Sequence, residues 1–402
     1  MNSNSMKFFA RAPDANSSRT LTVAANVAFV PIGIVTVLLG PLLPTLSTQW
    51  SLNYEKAGAL FTIQFLASTV WVALSGVCIS RWGFRFAIKA GLLAMVLGVA
   101  GLAHGSRTLG MICIAIYGAG IGLAVPAANL LVAAVNPTRR ASALSLLNFS
   151  WSVGAVACPF LVAPAVRHGH VPLLLIAVAG FLFVVLLGVA IVTSHAIEPG
   201  TVRENTGDKL SQIDWKNSQL LLFATLFFLY VGLENALGGW IASYAKALRI
   251  GSIELALMTP SFFYSALMIG RWLASLLLHR IDEVTLARAG LVTACAGMAC
   301  LLLSHTLLAV MIGAAVAGIG LSAIYPITIS LLSRSFGEKA SSVGSIVFTA
   351  ANLGGALLPW LVGFSSGRFG GLRAGMAVPL LAGAVLCVLY LGRWIPRAQR
   401  SA

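Results

Sequence analysis

Apolar runs of about 20 residues follow one another almost without pause along this chain, each long enough to cross the ~30 Å hydrocarbon core of a bilayer. A soluble fold of this size needs a charged surface. Only 9% of the 402 residues are charged and 58% are hydrophobic, against roughly 25% charged in an ordinary soluble domain. The chain therefore reads as an all-α polytopic membrane protein. Between charged residues and Gly/Pro punctuation, spans are expected at 22–47, 57–80, 86–104, 108–134, 142–165, 171–194, 218–245, 254–279, 284–304, 306–333, 341–364 and 374–393. That makes twelve transmembrane helices. The longest connection, 195–217, is polar (Glu198, Arg203, Glu204, Asp208, Lys209, Asp214, Lys216) and splits them six and six. The expected organisation is a tail at 1–21, a six-helix bundle at 22–194, a linker at 195–217, a second six-helix bundle at 218–393 and a tail at 394–402.

Net charge is +15, which in a soluble protein would suggest nucleic acid. Here it is a topology signal. With the N-terminus inside, cytoplasmic segments carry 18 Lys and Arg and the outer loops seven, which predicts both termini in the cytoplasm of a cell with this protein in its inner (plasma) membrane. All six cysteines lie in apolar segments without CxxC or ligand-spaced His partners, and the histidines sit near span ends. No metal, cofactor or nucleic acid is expected, and no nucleophile–base or HExxH arrangement within the spans suggests an enzyme.

The halves echo each other at an offset near 200. Ala119-Gly120-Ile121-Gly122-Leu123 recurs as Ala317-Gly318-Ile319-Gly320-Leu321, followed by Pro126 and Pro326; Gly154-Ala155 with Pro159 answers Gly355-Ala356 with Pro359. Duplicated bundles permit alternating access, in which two halves rock about a site near the midplane. The loop Gly76-Val77-Cys78-Ile79-Ser80-Arg81-Trp82-Gly83-Phe84-Arg85 resembles the GxxxDRxGRR signature of the major facilitator superfamily, with Ser80 where the family usually has Asp. The resemblance covers nearly the whole chain and implies pseudo-symmetric six-helix bundles, with spans 1, 4, 7 and 10 lining a central cavity. It also implies that Arg81 and Arg85 serve gating of the cytoplasmic side. Tyr230-Val231-Gly232-Leu233-Glu234-Asn235, then Gly238-Gly239-Trp240 and Tyr244, is similar to the span 7 pattern of the fucose:proton symporter and sodium-dependent glucose transporter branch. Ile269-Gly270-Arg271, Tyr325-Pro326-Ile327-Thr328 and Asn352-Leu353-Gly354-Gly355-Ala356 also look like that branch, although its fucose members carry acidic residues in the first half and spans 1 to 6 here contain none.

Glu234 is the one acidic residue well inside a span. A carboxylate in hydrocarbon costs several kcal/mol, about 3 on insertion scales, unless it is protonated, paired or facing water. It is the candidate for ion coupling or for binding a solute hydroxyl; a structural carboxylate satisfied by Asn235 or Tyr230 is the bland alternative. Arg271 is the one cation inside a span. Counting along straight helices places it roughly 15 Å in depth from Glu234, which suggests a gating or inter-helix donor. Gln64, Asn148, Trp151, Asn235, Trp240, Tyr264, Tyr325 and Asn352 complete the candidate binding set. Amides suit sugar hydroxyls and aromatic faces suit sugar C–H surfaces, while the same residue types also glue membrane helices or mark interfaces. No cationic cluster is present to hold a phosphate or dicarboxylate. The resulting expectation is a monomeric secondary transporter of a small neutral hydroxylated solute, a sugar, coupled to protons or sodium. The alternative is a proton-driven exporter of amphipathic compounds, and a membrane sensor is a third reading.

Overall fold

The computed structural model describes residues 15–194, 217–249, 251–337 and 340–392. Most of the expected terminal tails and nearly all of the linker therefore fall outside the described residues. The elements are α1 (Ala15–Val37), α2 (Leu39–Gln49), α3 (Tyr54–Leu102), α4 (Arg107–Val135), α5 (Arg140–Arg167), α6 (Val171–Val192), α7 (Ser218–Ala247), α8 (Ile253–Leu277), α9 (Glu283–Leu303), α10 (Leu307–Leu321), α11 (Ile324–Phe336), α12 (Ala340–Arg368), α13 (Leu372–Gly375) and α14 (Ala377–Leu391). Among the described residues no strand occurs.

Eleven helical stretches among the described residues are long and apolar enough to cross a membrane. One of them, α3, has 49 residues, about 74 Å at 1.5 Å per residue, twice what a bilayer needs. Its backbone leaves the helix at Gly83, whose φ of 85° only glycine adopts without strain. The chain turns back there, so α3 supplies spans 2 and 3 and the crossings number twelve. Residues 15, 194, 217 and 392 consequently share one end of the bundle, the terminal end, and the opposite end is called the far end below.

Spans 1, 10 and 12 are each interrupted, and each break lies three or four residues before a proline. The α1–α2 break at Leu38 precedes Pro41, the α10–α11 break at Ser322 and Ala323 precedes Pro326, and the α13–α14 break at Met376 precedes Pro379. Proline cannot donate to the carbonyl four residues earlier and its ring crowds that carbonyl. The remaining span bounds agree with the apolar runs to within a few residues.

The duplication is visible in how the glycines pack. Gly118 lies so close to span 2 that an added Cβ would stand 2.5 Å from the Gln64 carbonyl, and Gly318 meets the Phe263 carbonyl of span 8 in the same way. Gly120 packs on Gly91 and Gly320 on Gly290, with an added Cβ 2.5 Å from the partner's carbonyl oxygen in both. Gly154 faces the Val30 carbonyl and Gly354 the Phe228 carbonyl. The glycines that meet corresponding spans, Gly118 and Gly318, Gly120 and Gly320, and Gly154 and Gly354, are each 200 residues apart. The pentapeptide match at 198 is therefore shifted by two residues, because a Gly-x-Gly repeat aligns with itself in either register and only the packing partner distinguishes them. Gly154 likewise corresponds to Gly354, not to Gly355, which faces Phe65 in the other half.

Span 1 is the most enclosed, with 83% of its apolar window buried, against 39% for spans such as α6 and α9. It occupies the centre. Large apolar side chains such as Leu173, Val184, Leu303 and Val388 are exposed on peripheral helices, as a lipid-facing girdle requires.

Candidate functional site

Glu234, in the middle of α7, is partly buried. Tyr230, one turn nearer the terminal end, is 2% exposed. The Glu234 carboxylate and the Arg271 guanidinium flank the Tyr230 hydroxyl within electrostatic reach. That hydroxyl is buried and yet makes no hydrogen bond of good geometry to either. Tyr264 of α8 and Tyr325 of α11 also lie within the field of Glu234, and Tyr325 within that of Arg271. Tyr325 packs on Tyr230 with ring centroids 5.8 Å apart and on Phe227 at 5.4 Å. From the first half, the Trp151 indole stands edge-on to Tyr264 at 6.3 Å, and Ser152 Oγ accepts from Arg271 Nη1 at 3.4 Å. Two opposite charges and one buried hydroxyl, walled by aromatic rings, thus meet where the halves meet.

The expected 15 Å between Glu234 and Arg271 is too large. Helix α7 has 30 residues, about 45 Å rather than the ~35 Å of a minimal span. Glu234 lies 13 residues from its far end and Arg271 lies 18 residues from the far end of α8, depths of about 20 Å and 27 Å. Tyr230 is level with Arg271. The long arginine side chain covers the remaining difference.

Other candidate residues are already occupied. Gln64, 3% exposed, donates to the Thr36 carbonyl at 3.1 Å and accepts from Tyr117 Oη at 3.1 Å, tying spans 1, 2 and 4 together. Trp240, 1% exposed, donates from Nε1 to the Pro359 carbonyl at 2.9 Å and lies 6.3 Å from Phe61. Asn235 and Asn148 each donate to the carbonyl four residues earlier, Val231 and Leu144, leaving their amide oxygens available. Asn352 is partly exposed on α12. Arg85 donates to the carbonyls of Thr193 and Ser194, capping the C-terminus of α6, while Arg81 is exposed. Tyr230 joins the cluster, and Ser152, on the same helix face as Asn148 and Trp151, reaches it through Arg271. The i, i+4 spacing of Tyr230 from Glu234 was the available signal.

The far end is shut. Thr62 Oγ1 donates to the Ala356 carbonyl at 3.0 Å, Ser261 Oγ to the Val156 carbonyl at 2.9 Å and Lys246 Nζ to the Pro44 carbonyl at 3.4 Å, each bond joining the two halves. Gly58 abuts Trp360, Gly363 abuts Tyr54 and Gly40 abuts Gly238, so backbones from opposite halves touch. Toward the terminal end the seam parts. Asn148, one turn from the buried Ser152, is exposed, as is Pro326 beside Tyr325. Val23 and Val27 on the otherwise enclosed span 1 are 52% and 49% exposed. Side chains beside the cluster are thus more exposed toward the terminal end than toward the far end.

Comparison with known proteins places this architecture. A glucose/mannose transporter of Bacillus subtilis (strain 168) is 23% identical over 357 residues, covering 84% of this chain and 86% of its own. A glucose/galactose transporter of Brucella abortus biovar 1 (strain 9-941) is 23% identical over 392 residues, 91% of each chain. A crystal structure of the E. coli fucose:proton symporter has a similar fold, with a TM-score of 0.63, 18% identity and coverage of 93% of this chain and 98% of that one. Residues 25–306 match the family model of the Major Facilitator Superfamily. The chain is therefore an integral membrane transporter, not an enzyme, and belongs to the Major Facilitator Superfamily.

Proposed function

We propose that this protein moves a small neutral sugar across the inner membrane by alternating access, coupled to protons or sodium, with Glu234 as the coupling and solute-binding carboxylate. The observation that carries the reading is the Glu234–Tyr230–Arg271 cluster, whose buried Tyr230 hydroxyl stands beside both charges and makes no hydrogen bond of good geometry. A buried hydroxyl without a well-formed hydrogen bond costs about 1–3 kcal/mol, which a bound solute hydroxyl would recover. A carboxylate that accepts, a guanidinium that donates and a phenol that does both match a polyol. The rings of Trp151, Tyr264 and Tyr325 offer faces for its C–H surface. The opposite charges keep the site near neutrality, which favours an uncharged solute over a phosphate or dicarboxylate. The sugars named for the relatives support the same class. Asn148, Asn235 and Asn352 are the amides assigned to solute contact, and Arg81 and Arg85 are assigned to gating. With the positive-inside rule placing the terminal end in the cytoplasm, this reading makes the conformation an inward-open, outwardly closed state of a monomer.

Purified protein in proteoliposomes tests this. Glucose, galactose, mannose and fucose are offered under an imposed proton or sodium gradient. Accumulation of at least one sugar above equilibrium, dependent on one gradient, supports the reading. Extrusion of amphipathic dyes with no sugar response assigns the same cluster to proton-driven export instead.

A further inference from the structure

We propose that Arg167 and Glu254 form an ionic latch at the far end that sets the balance between the two access states. Two ion pairs are seen among the described residues. Glu283–Arg334, 2.8 Å, lies within the second half, whereas Arg167 Nη1 and Glu254 Oε2, 2.7 Å apart, join the two halves. Neither Arg167 nor Glu254 belongs to the solute site.

The pair ends a line of three bonds between α5 and α8. From the far end inward these are Arg167–Glu254 at 2.7 Å, Val156–Ser261 at 2.9 Å and Ser152–Arg271 at 3.4 Å. Glu254 and Arg271 are 17 residues apart on α8, about 26 Å. When halves rock about a midplane site, displacement grows with distance from the pivot. The latch must therefore open widest and break first, while the Ser152–Arg271 bond stretches least.

Each partner is also suited to stand alone. Arg167 lies in the last turn of α5 and Glu254 in the first turn of α8, where the helix macrodipoles favour a cation and an anion respectively. Arg167 is 61% and Glu254 21% exposed at the side chain, so water solvates both once they part. A pair of this kind contributes modestly. That suits a reversible latch, since a bond worth many kcal/mol would trap one state.

The experiment measures far-end separation by double electron–electron resonance in the full-length protein. Spin labels sit at H104C and L308C, exposed positions of opposite halves, with the six native cysteines replaced. No solute is needed, so the result is independent of the sugar assignment. R167E and E254R should each raise the long-distance, far-end-open population about two- to five-fold. The swapped pair R167E/E254R should restore the parent distribution. The neutral variants R167Q and E254Q keep the test open if a reversed charge prevents folding. Ser252 caps α8 through the Leu255 amide independently of Glu254, so E254Q leaves the helix start intact. Single variants indistinguishable from the parent, or a swap that fails to recover it, would overturn the latch.

Discussion

At the scale of single residues, Tyr230 separates a binding role from a structural one. Its hydroxyl is buried beside the Glu234 and Arg271 charges and makes no hydrogen bond of good geometry, so Tyr230→Phe removes little that holds the fold together. The variant should match or slightly exceed the parent in thermal unfolding while losing about ten-fold in solute affinity, the equivalent of one hydrogen bond. A matched loss of stability would assign the phenol to packing. Glu234→Gln keeps shape and mimics the protonated acid. Uphill accumulation should vanish while solute exchange persists within a few-fold, read in proteoliposomes with and without an imposed gradient; accumulation equal to the parent would remove Glu234 from coupling. Glu234 and Arg271 are legible in the sequence because a charge inside an apolar run is costly and therefore conspicuous. Gln64 and Trp240 are legible there only as polar residues inside spans. An amide that joins three helices and an indole that bonds a backbone carbonyl have the same composition signature as a sugar subsite, and only their partners tell them apart.

At the scale of elements, the glycines fall into two groups by the half their neighbour belongs to. Gly118, Gly120, Gly318 and Gly320 press on backbone of their own half, so a side chain there separates helices in every conformation. Gly118→Ala and Gly320→Ala should each cost about 1–3 kcal/mol, seen as lowered detergent-solubilised melting temperatures. Gly363 presses on Tyr54 across the seam. Gly363→Ala should leave melting nearly unchanged and push the far end open, seen as greater accessibility of a cysteine placed at Thr62; equal destabilisation by both kinds of variant would erase the distinction. Span positions are legible because twenty apolar residues have no other stable use in such density. The breaks in spans 1, 10 and 12 leave no mark on the apolar pattern, and the prolines that follow them do not single them out, since Pro31, Pro126, Pro159 and Pro260 lie inside unbroken helices. The repeat is legible too, yet its pentapeptide match falls two residues out of register, since Gly-x-Gly carries period two while helix packing is decided by which neighbour each glycine meets.

For the molecule as a whole, the contacts between the halves make a sidedness prediction. The bonds Thr62–Ala356, Ser261–Val156 and Arg167–Glu254 close the far end, and Asn148 stands exposed on the terminal side of the buried Ser152. A rigid-body rocking of two packed bundles cannot open one end without tending to close the other, because packed interiors do not stretch. In a background without native cysteines, Asn148→Cys should react with a membrane-impermeant maleimide applied from the cytoplasmic side and be silent from outside, and Thr62→Cys should be silent from both. Locking the far end open, by Gly363→Trp for instance, should invert the pattern: Thr62→Cys becomes reactive from outside and Asn148→Cys is shielded. Reactivity of Asn148→Cys only from outside would reverse the topology read from the 18-to-7 distribution of basic residues. Simultaneous reactivity of both positions from opposite sides would replace alternating access with a continuous channel, a behaviour incompatible with accumulation of a sugar against its gradient.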